Sequence, residues 1–291
     1  WRDARMWKQG DCVSRMSYGD DIIFKVISIQ REVAILRGIE VRLLADAKLS
    51  DLRLAEQLPS HREASIANAR ALDEKRLHTF YQEVRRNQVD QAAGDSHPFF
   101  ELPGRILHLD GDATYLRKSV EVYERLNIAA EGHFVQESMM KDAVQQLLPA
   151  VRPDILIITG HDGLIRTRDS YDKNYIGSYK NSANFVAAVK AARQYERNRD
   201  ALTIVAGACQ SHFEALLQAG ANFASSPARI LIHALDPVYI AATMAYTSIR
   251  GTVDIFEVIR HTLSGVDGIG GIETRGSYRV GMPKPKFVNK M

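Results

Sequence analysis

Over residues 10–54 short apolar runs alternate with polar turns, and the pattern changes twice further along the chain. Strand-like runs stand at 12–15, 22–29, 33–36 and 41–44, punctuated by Gly10-Asp11, Gly19-Asp20-Asp21 and Arg37-Gly38. Such runs between turn residues predict a small antiparallel barrel of the SH3 type. From Ser60 to about Asp95, Ala and Leu are dotted among Arg, Glu, Lys and Gln. This predicts a largely exposed helix, closed by a loop at Gly94-Asp95-Ser96-His97-Pro98. After Pro103 the pattern becomes one of strands at 105–109, 129–135, 154–158, 202–206 and 230–234. Between and after them lie helices at 113–126, 138–151, 183–195, 213–219 and 253–263, and the Gly-rich run 268–276 predicts a returning loop or hairpin. Strands alternating with amphipathic helices predict an α/β fold with a mainly parallel sheet. The nearly all-apolar run 154–158 should lie at its centre, since parallel strands are covered on both faces. The expected organisation is a small SH3-like β-barrel at 1–58, a charged linker helix at 59–97 and an α/β domain at 98–291.

Composition narrows the function classes only a little. The chain has 291 residues, 45% hydrophobic and 25% charged, enough to bury a real core. Its formal net charge of +3, from 38 Lys and Arg against 35 Asp and Glu, is too balanced for a nucleic-acid footprint or a membrane-binding surface. No apolar run reaches a membrane span, and the first 30 residues lack the core of a signal peptide, so a cytoplasmic place of synthesis is expected. Two cysteines, Cys12 and Cys209, make a disulfide framework a poor expectation. The His residues have no metal-ligand spacing beside a Cys cluster, so no metal or organic cofactor is expected.

In open α/β sheets ligands bind beyond the carboxyl ends of the strands. Three predicted strand ends carry chemistry: Thr159-Gly160-His161-Asp162-Gly163, Gly207-Ala208-Cys209-Gln210-Ser211-His212 and Leu235-Asp236-Pro237. A thiol attacks as thiolate, and an imidazole within reach takes its proton and returns it to the leaving amine. Cys209 and His161 therefore suit a nucleophile and a general base, with the backbone N–H groups of Asp162 and Cys209 placed to hold an oxyanion. His212 is a weaker alternative base. Taken singly, Cys209 reads as a small buried hydrophobe and the Gly-His-Asp turn as structural. Their occurrence at corresponding ends of two core strands favours a site. His precedes Cys by 48 residues, an order and spacing that caspases share.

Several long motifs carry a closer resemblance: Leu107-His108-Leu109-Asp110-Gly111-Asp112, Arg152-Pro153-Asp154-Ile155-Leu156, Ala206-Gly207-Ala208-Cys209-Gln210-Ser211-His212-Phe213-Glu214, His233-Ala234-Leu235-Asp236-Pro237-Val238-Tyr239 and Gly270-Gly271-Ile272-Glu273-Thr274-Arg275-Gly276. Through them the chain resembles the sporulation-specific YabG peptidases of endospore-forming bacteria. The resemblance implies a peptidase that processes spore coat and germination proteins in the sporulating cell, associated with the forming coat. More distantly the chain is similar to caspase-like peptidases such as the separases, which implies a Cys–His dyad acting through a thioester. In separases a later acidic turn lines the pocket for a substrate arginine. Asp236 falls at the similar place, which implies cleavage after Arg. Asp162, where the wider pattern has Gly, would orient His161 or help bind a basic substrate. Asp236 capping a turn before Pro237 is the structural alternative. Two rival functions stand beside this one: a non-catalytic coat scaffold with an inert Cys–His pair, and a receiver domain suggested by Asp110-Gly111-Asp112. That turn more simply caps the helix after it.

Overall fold

The computed structural model describes residues 6–39, 41–55, 61–92, 100–165 and 172–282. Five strands, β1 (Cys12–Arg15), β2 (Phe24–Gln30), β3 (Val33–Gly38), β4 (Leu44–Lys48) and β5 (Leu52–Leu54), form one antiparallel sheet in the order β4-β3-β2-β1-β5. Val13, Phe24, Val26, Ala34 and Leu36 alternate onto its buried face. The fourth strand begins three residues later than the sequence pattern suggests, because residues 41–43 leave the sheet to contact the rest of the molecule.

Helix α1 (His61–Ala92) follows. It was expected to be largely exposed, yet Leu77 and Phe80 are buried, packed with Tyr239 and its neighbours. The stripe, which Tyr81 and Val84 extend as partly buried neighbours, is masked in the sequence by the charged residues between its members. The expected loop at 94–98 lies outside the described residues.

The remaining elements run β6 (Phe100–Leu102), β7 (Ile106–Asp110), α2 (Ala113–Arg125), β8 (Ala130–Phe134), α3 (Met140–Val151), β9 (Ile155–Thr159), α4 (Ser182–Tyr195), β10 (Thr203–Ala206), α5 (Phe213–Ala219) and β11 (Phe223–Ser225). Then come α6 (Asp236–Tyr246), β12 (Thr252–Val253), α7 (Ile255–Arg260), α8 (Gly265–Gly268), β13 (Ile269–Gly271), β14 (Thr274–Arg275) and β15 (Arg279–Gly281). Six strands build the main sheet in the order β13-β11-β10-β9-β7-β8, parallel except for β13. Alternate side chains of each strand feed two cores, as a period of two requires. Ile106, Ile155, Ile157, Val205 and Phe223 pack toward α2 and α6. Leu107, Leu109, Leu156, Ile158 and Ile204 pack toward α3 and α4. Each fully buried aliphatic side chain contributes roughly 1.5–3 kcal/mol. The chain is thus a mixed α/β protein whose mainly parallel sheet is covered by helices, preceded by an antiparallel sheet. Among the described residues no helix is long and apolar enough to cross a membrane.

One predicted strand is corrected. Residues 230–234 form no strand; the place beside β10 is taken by β11, with Val205 opposite Phe223 and Ala206 opposite Ala224. The 230–234 backbone is committed elsewhere: the Gln210 amide and the Ser226 hydroxyl donate to the Ile230 carbonyl, and the Ile232 amide donates to the Cys209 sulfur. Asp236 accordingly opens helix α6 instead of following a strand.

Candidate active site at the ends of β9 and β10

Strands β9 and β10 are parallel neighbours, with Ile158 opposite Ala206. The pairing continues past the strand ends, since the Gly207 amide donates to the Ile158 carbonyl at 3.0 Å and the Thr159 hydroxyl donates to the Gly207 carbonyl at 3.0 Å. The 48-residue offset of Thr159 and Gly207 also separates His161 from Cys209. The two residues therefore leave the same sheet edge at equivalent register positions. Gly207, at φ 108°, takes a backbone turn that L side chains rarely adopt.

His161 is buried, and neither ring nitrogen has a hydrogen-bond partner among the described residues. Nε2 lies 3.7 Å from Asp112 Oδ2 and Nδ1 4.0 Å from Glu137 Oε1. The loop is pinned through its backbone: the His161 amide donates to Glu137 Oε1 at 2.9 Å, and Asn181 Nδ2 donates to the His161 carbonyl at 2.8 Å. Burial, reinforced by the Arg42 charge, pushes the imidazole down to about 4 against the pull of Asp112. At neutral pH the ring is uncharged.

Cys209 is also fully buried, among side chains of the N-terminal sheet and Ile232. The Ile232 amide donates to its sulfur at 3.3 Å, and the thiol lies 3.7 Å from the Ile232 carbonyl. Burial pushes the thiol up to about 11, although hydrogen bonds from the Ile232 and Arg42 backbone and the Arg42 charge oppose the rise. In the native chain, alkylation of Cys209 by iodoacetamide should accordingly be slow at pH 8 and accelerate toward pH 11, with exposed Cys12 as the internal reference. Mass spectrometry of the two cysteine peptides reads this directly, and equal rates at pH 8 would contradict it.

The carboxylate of Asp162 is wholly enclosed. Its Oδ1 accepts from the Gly163 and Asn181 amides at 2.9 and 2.8 Å, and its Oδ2 accepts from the Ser182 and Ser211 hydroxyls at 2.5 and 2.9 Å. These bonds tie the His161 loop to the start of α4 and to the Cys209 loop. Burial nevertheless raises the carboxyl to about 6. The side chain thus organises the two loops, and the expectation that it would face a basic substrate or the imidazole is not how it sits. Its backbone amide, by contrast, donates outward to the Arg42 carbonyl, at 3.4 Å.

Asp236 is engaged as well. Arg76 of α1 donates to its Oδ1 at 2.7 Å, and the Leu263 and Ser264 amides donate to its two oxygens at 2.9 and 3.0 Å. It does bind an arginine, but one that staples α1 to α6. The alternative base His212 caps α5 by accepting from the Ala215 amide, and its Nε2 lies 3.0 Å from the Asn174 carbonyl. Asp112 caps α2 by accepting from the Thr114 and Tyr115 amides, as the acidic turn suggested.

Two participants had no signal in the sequence. Glu137, just before α3, reaches back to hold the His161 amide, and a Cβ on Gly160 would sit 2.7 Å from its Oε1. Arg42, the largest of the fully buried side chains, enters the site from the N-terminal sheet. Its guanidinium donates to both oxygens of Asp110 at 2.6 and 2.7 Å.

The family model described as YabG peptidase U57 matches residues 8–283, nearly the whole chain and both parts of the site. The chain belongs to the YabG peptidase family. It is similar to the sporulation-specific protease YabG of Bacillus subtilis (strain 168), at 42% identity over 285 residues that cover 94% of this chain and 97% of that protein. Membership of that family makes the chain a peptidase of sporulation.

Proposed function

We propose that this YabG peptidase is a cysteine endopeptidase in which Cys209 attacks the peptide carbonyl and His161 is the general base. The observation that carries the reading is the register: the loops bearing His161 and Cys209 follow adjacent parallel strands at the same offset. His161 takes the thiol proton as the sulfur–carbon bond forms, then delivers it to the leaving amine. Water, activated by the same imidazole, hydrolyses the thioester and restores the thiol. The Asp162 amide is the proposed donor to the substrate oxygen as it develops charge, with the Cys209 amide as its partner. This arrangement, at the carboxyl edge of a parallel sheet after a small SH3-like module, is what a caspase-like peptidase uses.

The substrates proposed are spore coat and germination proteins, cut after Arg. The engagement of Asp236 by Arg76 leaves the Arg preference to be explained by another acid. The reading is tested by incubating the chain with a spore coat extract and mapping new termini by mass spectrometry. New C-termini ending in Arg are expected; new termini with no preferred residue, or none at all under reducing conditions, would refute it.

A further inference from the structure

A chain segment already lies across the proposed active site. Residues 41–43 lead into β4, and they approach the His161 loop as an added strand would: Leu43 bridges Asp162 in parallel, and the Leu44 amide donates to the Asp162 carbonyl at 2.7 Å. The fit is close enough to require a glycine. A Cβ on Gly163 would sit 1.7 Å from the Leu44 carbonyl oxygen, an overlap with backbone that no rotamer relieves.

The placement of Arg42 within this segment is that of a residue about to be cut. Its carbonyl accepts from the Asp162 amide, the donor assigned above to the oxyanion, and the next residue, Leu43, packs in the same apolar cluster as Cys209. Its side chain fills a closed pocket. Both terminal nitrogens donate to the two oxygens of Asp110, Nε donates to the Ala234 carbonyl at 3.3 Å, and the guanidinium lies over the Tyr115 ring at 4.6 Å. A planar fork meeting a carboxylate with both arms, over an aromatic face, distinguishes arginine from lysine. Asp110 itself stands at the carboxyl end of β7, next to β9 in the sheet, on the same edge as His161. The Asp112 amide holds it in place by donating to Oδ1 at 2.8 Å, and His108 Nε2 lies 3.5 Å from Oδ2.

Resting on the peptidase reading above, we propose that Asp110, Tyr115 and the Ala234 carbonyl form the pocket that recognises a substrate arginine. Arg42 occupies that pocket as an internal stand-in, so residues 41–43 must withdraw before a substrate is cut. The same segment supplies part of the cover over Cys209: side chains of the N-terminal sheet and its neighbour Leu43 pack in one cluster with the sulfur, beside Ile232, so withdrawal of 41–43 opens the pocket and the sheet-facing side of the sulfur together. A buried ion pair contributes little net stability, so the pair can be exchanged for the same contacts made by a substrate. The N-terminal sheet is then a gate as well as a scaffold.

The test uses the full chain and two peptides carrying the same electrophilic ketone, one ending in arginine and one in norleucine, with adducts mapped to Cys209. Arg42→Met keeps the stem and removes the guanidinium. It should be labelled by the arginine probe at least about tenfold faster than the parent chain and should prefer it over the norleucine probe at least about tenfold. The double variant R42M/D110L removes both charges together and puts apolar side chains in their place, an exchange buried ion pairs tolerate. It should lose that preference or reverse it. Labelling of folded Arg42→Met at the parent rate, or retention of the arginine preference by the double variant, overturns the proposal. If Arg42→Met does not fold, the double variant against the parent chain decides by preference alone. An Asp110 change that leaves selectivity unmoved while Cys209 is still required for cleavage removes only the pocket assignment. Cleavage that survives loss of Cys209 removes the peptidase reading beneath it.

Discussion

Replacing Cys209 by Ala is expected to lower kcat/KM for an arginine-containing peptide by at least about 10⁴-fold, with the fold retained. The sulfur is the atom that forms the covalent bond in the proposed mechanism, and no second thiol stands at the sheet edge; Cys12 is exposed, on β1. Losing one buried sulfur costs stability only through a small cavity, about 1 kcal/mol, which thermal unfolding can separate from lost turnover. His161→Ala should cost about 10²–10⁴-fold, the usual worth of a positioned general base. Its partial loss should be largest near neutral pH, where the parent imidazole is uncharged. Turnover within tenfold of the parent for Cys209→Ala would contradict the assignment outright.

Asp162→Ala is expected to destabilise the chain by about 3 kcal/mol, since it strips two amides and two hydroxyls of their common acceptor in a buried site. The loops that carry His161 and Cys209 would lose their shared anchor, so activity should fall with stability. Asp162→Asn should behave differently. The folded carboxyl is raised to about 6 from an ordinary 3.8, so its protonated form is the one the fold favours. That contribution is present in full below pH 3.8 and is lost as pH rises through 6. An amide mimics the neutral form, its oxygen facing the two backbone donors and its NH₂ facing two hydroxyls that can accept. Asn at 162 should therefore be at least as stable as Asp at pH 7 and should lack the decline between pH 4 and 6. Denaturant titrations across that range measure both effects; an Asn variant destabilised as much as Ala would contradict the account.

How much of this was legible in the sequence differs from element to element. Strands β9 and β10 announced themselves as apolar runs, and their common offset is the spacing of His161 and Cys209, so the pair followed from counting along two parallel strands. The cap at Asp112 was legible because an N-cap is local: the amides that donate to it lie two and three residues on. Residues 230–234 misled because a short apolar run reads alike as strand or buried coil, and β11, only three residues long, has too few positions to show a period. Helix α6 was missed for the opposite reason. Ten of its residues are buried, and a helix apolar on every side shows no 3.6-residue period.

The site's least legible feature is the Arg42–Asp110 pair. Its members stand 68 residues apart, and nothing local marks an Arg beside a turn as destined for the interior. Asp236 was the reasonable sequence choice for an arginine partner, and it does hold an arginine, but one from α1. Chemistry at strand ends is readable when strands are; which of several acids meets which cation depends on how the N-terminal sheet docks.

The central claim is that the thiol at 209 carries the acyl group while the imidazole at 161 moves the proton. Its most direct test is to mix the chain with an activated arginine ester, quench in acid within the first turnover and locate the adduct by peptide mass mapping. The acyl group is predicted on Cys209 in the parent chain, with formation slowed by about 10² or more in His161→Ala. Turnover with no adduct at Cys209, or with the acyl group on another side chain, would contradict it.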